Sequence, residues 1–175
     1  MKKQSFFSKL FASFALVSGS IWIGSYLVKL FLIYQLFEPK DLILKEMFLI
    51  NDINTVLLSL LPAFITPFLA YIIMIISFVL FLLFSKISIK ENGWLFISIM
   101  IIFITIPFEF YLLVIDYKII SLLLQSSFSA DSTIILMRDR ITALSSFPII
   151  EILSYLSILF LIIFKPLTVK NKVIK

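Results

Sequence analysis

Three ionisable residues lie within stretches that are otherwise long and apolar: Lys29, Glu109 and Glu151. A charge in hydrocarbon is costly, so such residues are usually paired, directed into a helix bundle, or functional. Two carboxylates and one ammonium leave a negative charge uncompensated in low dielectric, which favours a proton on one glutamate. A glutamate that gains and loses a proton suits proton-coupled transport. The alternatives are a Lys29–glutamate pair that holds helices together and a lysine that snorkels to the headgroups.

Smaller polar residues share a helical face with each of these charges. Thr105 precedes Glu109 by four residues, and Asp116 follows it by seven, which is the spacing of one helical stripe. Because lipid cannot hydrogen-bond polar groups, we expect such stripes to meet at a bundle axis, with the charges near its outer mouth. Packing of small residues between helices explains the serines equally well. The other stripe members are Ser18, Trp22 and Ser25 with Lys29, Ser154 and Tyr155 with Glu151, Ser98 in the third segment, and Ser59, Thr66, Ala70 and Ser77 in the second.

Four long apolar segments must position these residues. The chain has 175 residues, of which 62% are hydrophobic, and its mean hydropathy is +1.17. A helix crosses a bilayer with about 20 residues, and four stretches reach or approach that length. The sequence therefore predicts an all-α integral membrane protein, a single four-helix transmembrane domain over residues 1–175. The predicted spans are approximately 10–37, 55–85, 93–115 and 147–164.

Two amphipathic helices are predicted between the spans, both at the outer interface. The first covers residues 41–54, where Asp41 and Lys45 are spaced to pair on one face. The second covers residues 133–144, with Arg138 and Arg140 on its polar side. These two arginines are a weak candidate for an outer anion site, and a solvated helix face is the favoured alternative.

Prolines predict where two of the spans deviate from a straight helix. Pro62 and Pro67 lie in the first half of the second span, so we expect a kink or break there, with Thr66 capping a restart at Pro67. Pro107 lies two residues before Glu109 and frees a backbone carbonyl beside that charge. The third helix is expected to continue past residue 115 towards Leu124.

The distribution of basic residues predicts the orientation. Nine of the 15 basic residues lie at the N-terminus, in the loop between spans two and three, or in the C-terminal tail. Four crossings put these three regions on one side, and the positive-inside rule makes that side cytoplasmic. Cleavage of residues 1–20 as a signal peptide is the rival interpretation, but the apolar run continues past Ser20 and favours a retained helix.

The residue inventory excludes several chemistries. The chain has no Cys and no His, so thiol redox chemistry, thiolate metal sites and imidazole ligands or bases are absent. Only three glycines are present, and they form neither a serine nucleophile elbow nor a phosphate-binding loop. We predict no catalytic residue, cofactor or metal ligand. Nucleic-acid binding is not expected either, because the basic residues follow the pattern of membrane orientation.

The leading functional prediction is a small multi-pass protein of the cytoplasmic membrane, acting without catalysis as a subunit or assembly partner. The partner would be another membrane protein or further copies of the chain, since Ala15 with Gly19, and Ser20 with Gly24, supply small faces for helix contact. The second prediction is a transporter or channel component that uses Lys29, Glu109 and Glu151. The third is a membrane-embedded enzyme that uses the two glutamates.

Overall fold

The computed structural model describes residues 5–50 and 52–168, excluding the side chains of residues 49 and 50. Its elements in that range are seven α-helices and one short 3-10 helix at Ile89–Glu91. Four segments are long and apolar enough to cross a membrane, and the all-helical prediction is thus confirmed. The α-helices are α1 (Phe6–Leu36), α2 (Glu46–Ile50), α3 (Ile53–Ser59), α4 (Leu61–Phe84), α5 (Gly93–Leu123), α6 (Ala130–Thr142) and α7 (Phe147–Phe164). The candidate spans are α1, α3 together with α4, α5, and α7.

The second candidate span is interrupted at Leu60, which separates α3 from α4. Pro62 lies in the first turn of α4, where its missing N–H costs no intrahelical bond. Pro67 stays inside α4. The predicted break in this region is therefore confirmed, at Leu60 beside Pro62, whereas the predicted restart capped by Thr66 at Pro67 is wrong.

The first predicted interfacial helix, 41–54, is wrong over residues 41–45, whereas α2 and the start of α3 occupy part of the rest. Asp41 lies in a turn, Leu42 has a positive φ of 50°, and Phe37 pairs with Leu44 as an antiparallel bridge. Lys45 precedes the short helix α2, so Asp41 and Lys45 do not share a helical face. The second predicted helix exists as α6, which begins at Ala130, three residues before the prediction, because Ser129 caps it. α6 packs against α3 and α5.

Close packing joins α1 to α4 along their lengths. Gly19 permits part of this approach, because a Cβ atom there would lie 3.1 Å from Met74 Sδ. The start of α1 meets the end of α4 through Ser5 Oγ, which donates to Phe84 O at 3.4 Å. The start of α5 and the segment just after α7 meet in the same way, because Gly93 N donates to Leu167 O at 3.1 Å. These contacts define a common level, the base of the bundle.

Three apolar clusters follow one another upward from that base. The lower cluster contains Phe81, Trp94 and Leu95. The middle cluster contains Trp22, Tyr26, Ala70, Tyr71, Met74, Ile102, Leu113, Ile152, Tyr155 and Ile158. The upper cluster contains Ile33, Leu36, Phe37, Leu57, Leu60, Phe64, Ile115, Ile119, Ile120, Leu123, Met137 and Ile141. Along α1, Lys29 lies between the middle and upper clusters, whereas on α5 Glu109 lies among middle-cluster residues and Asp116 among upper-cluster residues.

Candidate functional site

Five buried ionisable residues form one group, called here the charge cluster. α1 supplies Lys29, α5 supplies Glu109 and Asp116, α6 supplies Arg140, and α7 supplies Glu151. No member is more than 2% exposed. The structure thus places all three charges predicted for the spans in one region, together with Asp116 and Arg140, for which other roles were predicted.

Asp116 is the shared acceptor for both cations. Lys29 Nζ donates to Asp116 Oδ2 at 2.5 Å, and Arg140 Nε donates to Asp116 Oδ1 at 3.1 Å. Arg140 Nη2 also donates to the Tyr26 hydroxyl at 3.3 Å. The Lys29 ammonium lies 4.8 Å from the centre of the Tyr26 ring, within range of a cation–π contact. Lys29 therefore forms its salt bridge with Asp116, whereas the sequence predicted a glutamate.

The two arginines of α6 do not converge on a common site. Arg138 is exposed, while Arg140 is 2% exposed, so the prediction that both lie on the polar side of the helix is wrong for Arg140. Thr133, Met137 and Arg140 lie on the buried face of α6. Burial disfavours the charged guanidinium, but Asp116, Tyr26 and Glu109 together outweigh it, so the pKa of Arg140 is raised.

The carboxyl groups of Glu109 and Glu151 lie within hydrogen-bonding reach of each other. As two carboxylates they have no proton to share, and Glu109 Oε2 and both Glu151 oxygens are buried without a hydrogen-bond donor. Arg140 Nη1 is likewise buried without an acceptor. Buried polar atoms are usually satisfied, so unpartnered atoms on three of the five residues mark this cluster as unusual.

A tyrosine–threonine group lies below the glutamates. The Thr105 hydroxyl donates to Tyr155 Oη at 3.3 Å, and Tyr155 donates to Tyr71 Oη at 3.4 Å. The Trp22 ring packs against both tyrosines, with centroid separations of 4.7 and 5.4 Å. Sequence reasoning missed Tyr71, although it lies next to Ala70 in the stripe noted for the second span.

The remaining predicted stripe residues take no part in this network. Ser25 donates to Ile21 O at 2.7 Å, and Ser154 donates to Ile150 O at 2.8 Å, both within their own helices. Ser59 and Thr66 are exposed. Of the predicted supporting residues, the structure therefore brings Thr105, Tyr155 and Asp116 into buried interhelical bonds.

The charge cluster divides into two levels. With about 1.5 Å of rise per residue, Lys29 and Asp116 each lie about 35 Å above the base of the bundle. Glu109 lies about 24 Å and Glu151 about 20 Å above it by the same measure. A hydrocarbon layer about 30 Å thick that begins at the base would contain the glutamates but end below the Lys29–Asp116 pair.

Apolar residues separate the charge cluster from the surface. The upper cluster covers it from above, so the charges are enclosed within the bundle. A groove of about 390 Å³ runs between α4 and α5, but no member of the charge cluster lines it. Within residues 5–50 and 52–168, no group of three or more Asp, Glu, Cys or His side chains is arranged to hold a metal ion.

Comparisons with protein-family models, with curated proteins and with solved structures give no match to this chain. Its function must therefore be inferred from the chain's own contacts. Those contacts establish an all-helical chain with four helices of membrane-spanning length and apolarity, and a buried charge cluster between them.

Proposed function

We propose that this protein is a small multi-pass protein of the cytoplasmic membrane that acts, without catalysis, as a subunit or accessory partner. Its partner is another membrane protein or a second copy of the chain. Both termini lie on the cytoplasmic side, as the basic residues near the base of the bundle favour. The single observation that carries the proposal is that the charge cluster is enclosed and joins four helices.

The Asp116 bridge supports a structural role for the buried charges. One carboxylate links α1 to α6 while it is itself carried by α5. Removing Asp116 would leave both cations buried and without a carboxylate partner, so this residue fixes how the three helices pack. Catalysis by Glu109 and Glu151 finds no comparable support, because neither lines the groove between α4 and α5.

The α4–α5 groove supports the assembly role. Its lining is apolar and aromatic, and several of its residues are strongly exposed, including Ile76 at 54% and Phe110 at 65%. A groove of this kind between two spans lets the side chains of another helix approach closely, and such packing drives helix association in lipid. We therefore assign the partner contact to this groove.

Site-specific photo-crosslinking in native membranes tests the assignment. A photoreactive amino acid replaces Ile76 or Phe110 in the groove. Ile73 and Phe103 are the matched controls, because they lie on the same helices with similar exposure (50% and 71%) but do not line the groove. We expect protein adducts from the two groove positions and lipid adducts from the controls. Lipid adducts alone at all four positions would refute the assembly role.

A second candidate function is proton-coupled transport, and the unpartnered oxygens of Glu109 and Glu151 favour it. A carboxyl group in a span that can exchange a proton is typical of transporters and pumps. The test is proton flux into vesicles that contain the purified protein, measured with an internal pH indicator. Flux that is lost in Glu109→Gln supports transport, whereas no flux above empty vesicles removes this candidate.

A further inference from the structure

The charges of the buried cluster do not balance. Lys29 and Arg140 carry two positive charges, while Asp116, Glu109 and Glu151 carry three negative charges when all are ionised. The Lys29–Asp116–Arg140 triad alone has a net charge of +1, and the glutamate pair has −2. The enclosed cluster thus has a net charge of −1, and one additional positive charge would make it neutral.

The missing charge belongs at the glutamate pair. Asp116 already accepts from both cations, one at each oxygen. Glu109 Oε2 and both Glu151 oxygens have no donor, and the two carboxyl groups lie within hydrogen-bonding reach of each other. The other groups that influence the pair are the triad residues. Tyr26, Tyr71 and Tyr155 lie in the adjacent middle cluster.

We propose that the Glu109–Glu151 pair is a binding site for a single proton. One carboxyl group takes up the proton from water, and its new O–H donates a hydrogen bond to the other carboxylate. The pair then carries one negative charge, which balances the net positive charge of the triad. An enclosed region of low dielectric favours this neutral state, because an uncompensated buried charge is costly. The proposal rests on charge and geometry alone and does not depend on a partner at the α4–α5 groove.

Charge balance makes an unusual prediction for single substitutions. Glu109→Gln removes one negative charge, so the cluster becomes neutral with Glu151 ionised and needs no proton. Glu151→Gln has the same effect on Glu109. Each substitution should therefore abolish the proton site completely, although a carboxyl group remains. Two carboxyl groups that titrated independently would instead each keep their own proton.

Infrared spectroscopy of the purified protein in lipid vesicles at neutral pH tests this. A protonated carboxylic acid has a carbonyl band distinct from that of carboxylate. We expect one such band in the unsubstituted protein and none in Glu109→Gln or Glu151→Gln. Glu38→Gln is the matched control, because Glu38 is exposed at the end of α1, and it should leave the band unchanged.

Three results would overturn the proposal. The first is the absence of the band from the folded, unsubstituted protein, a measurement that needs no variant. The second is a band that persists in both single glutamine variants. The third is a band that is absent in sodium buffer and appears only when choline replaces sodium. In that case a sodium ion, and not a proton, would occupy the glutamate pair in sodium buffer. Folding of each variant is checked by circular dichroism, and loss of only the carboxyl band from a folded variant supports the proposal.

Discussion

Replacing Asp116 with asparagine should destabilise the protein strongly, because two cations depend on this one carboxylate. The substitution keeps the side-chain shape but removes the charge that Lys29 Nζ contacts at 2.5 Å and Arg140 Nε at 3.1 Å. Breaking a buried ion pair typically costs about 3–5 kcal/mol. We expect the lower end, about 3 kcal/mol, because Glu109 also interacts with both cations and partly compensates them. That loss changes the unfolding equilibrium by roughly a hundredfold.

The assay is reversible unfolding of the purified protein by SDS in mixed micelles, followed by tryptophan fluorescence. Trp22 is fully buried in the middle cluster and reports on packing close to the charges. Asp139→Asn is the control, because Asp139 is exposed on α6, and it should change stability by at most about 0.5 kcal/mol. A Lys29→Met, Asp116→Leu, Arg140→Met triple variant should recover part of the loss, since apolar replacement of a whole buried ionic group is often tolerated. A cost below about 1 kcal/mol for Asp116→Asn would refute the bridging role.

Three further predictions concern packing, a helix cap and the tyrosine–threonine group. Gly19→Ile should lower the free energy of unfolding by about 1–3 kcal/mol, because the new side chain crowds Met74 of α4. Gly24→Ala should be neutral or stabilising, because nothing lies within 4 Å of a Cβ atom there. Thermal unfolding of the two variants compares these effects. A hydrogen bond from the Thr55 hydroxyl lowers the pKa of Asp52 in the folded protein. The ionised Asp52 side chain therefore stabilises α3 fully above about pH 4, and this stabilisation is lost as the pH falls through the lowered pKa of the folded state. Asp52→Asn should remove this acid dependence from a circular dichroism titration, and an unchanged titration would contradict it. Tyr155→Phe should cost about 1 kcal/mol in the SDS assay, through lost hydrogen bonds, and no measurable change would show that these bonds contribute nothing.

Helical periodicity was enough to predict that several polar residues share a buried face. Glu109 and Asp116 are seven residues apart on one helix, so both project to the same side, and both are buried. Lys29 was recognised because a charge in an apolar span demands an explanation. The sequence could not show which carboxylate Lys29 meets, because that depends on the relative height of α1 and α5, and the two residues are 87 positions apart in the chain.

Arg140 was wrongly predicted to lie on the polar side of α6, because this helix is short and rich in charge, which is typical of a solvated helix. Two apolar residues near Arg140 in the sequence indicate which side of α6 is buried. Met137 and Ile141 are apolar residues at helical spacing, and Arg140 lies three residues from Met137 and next to Ile141, within the same buried sector. The acceptor for Arg140 is 24 residues away in the chain, so local pattern alone could not identify it.

Helix α7 is much shorter than the other three candidate spans, so the bundle is uneven in height at the end away from its base. α7 has 18 residues and extends about 27 Å, whereas α5 has 31 residues and extends about 46 Å. The start of α5 meets the segment after α7 at the base of the bundle, so about 19 Å of α5 rises beyond the first residue of α7. That exceeds the thickness of one headgroup layer, roughly 5–8 Å, so in the proposed membrane orientation we expect the stretch after α5 to lie in water. Ser127 is exposed in that stretch and the chain has no cysteine. Ser127→Cys would therefore give a lone thiol that a membrane-impermeant maleimide should label from outside intact cells.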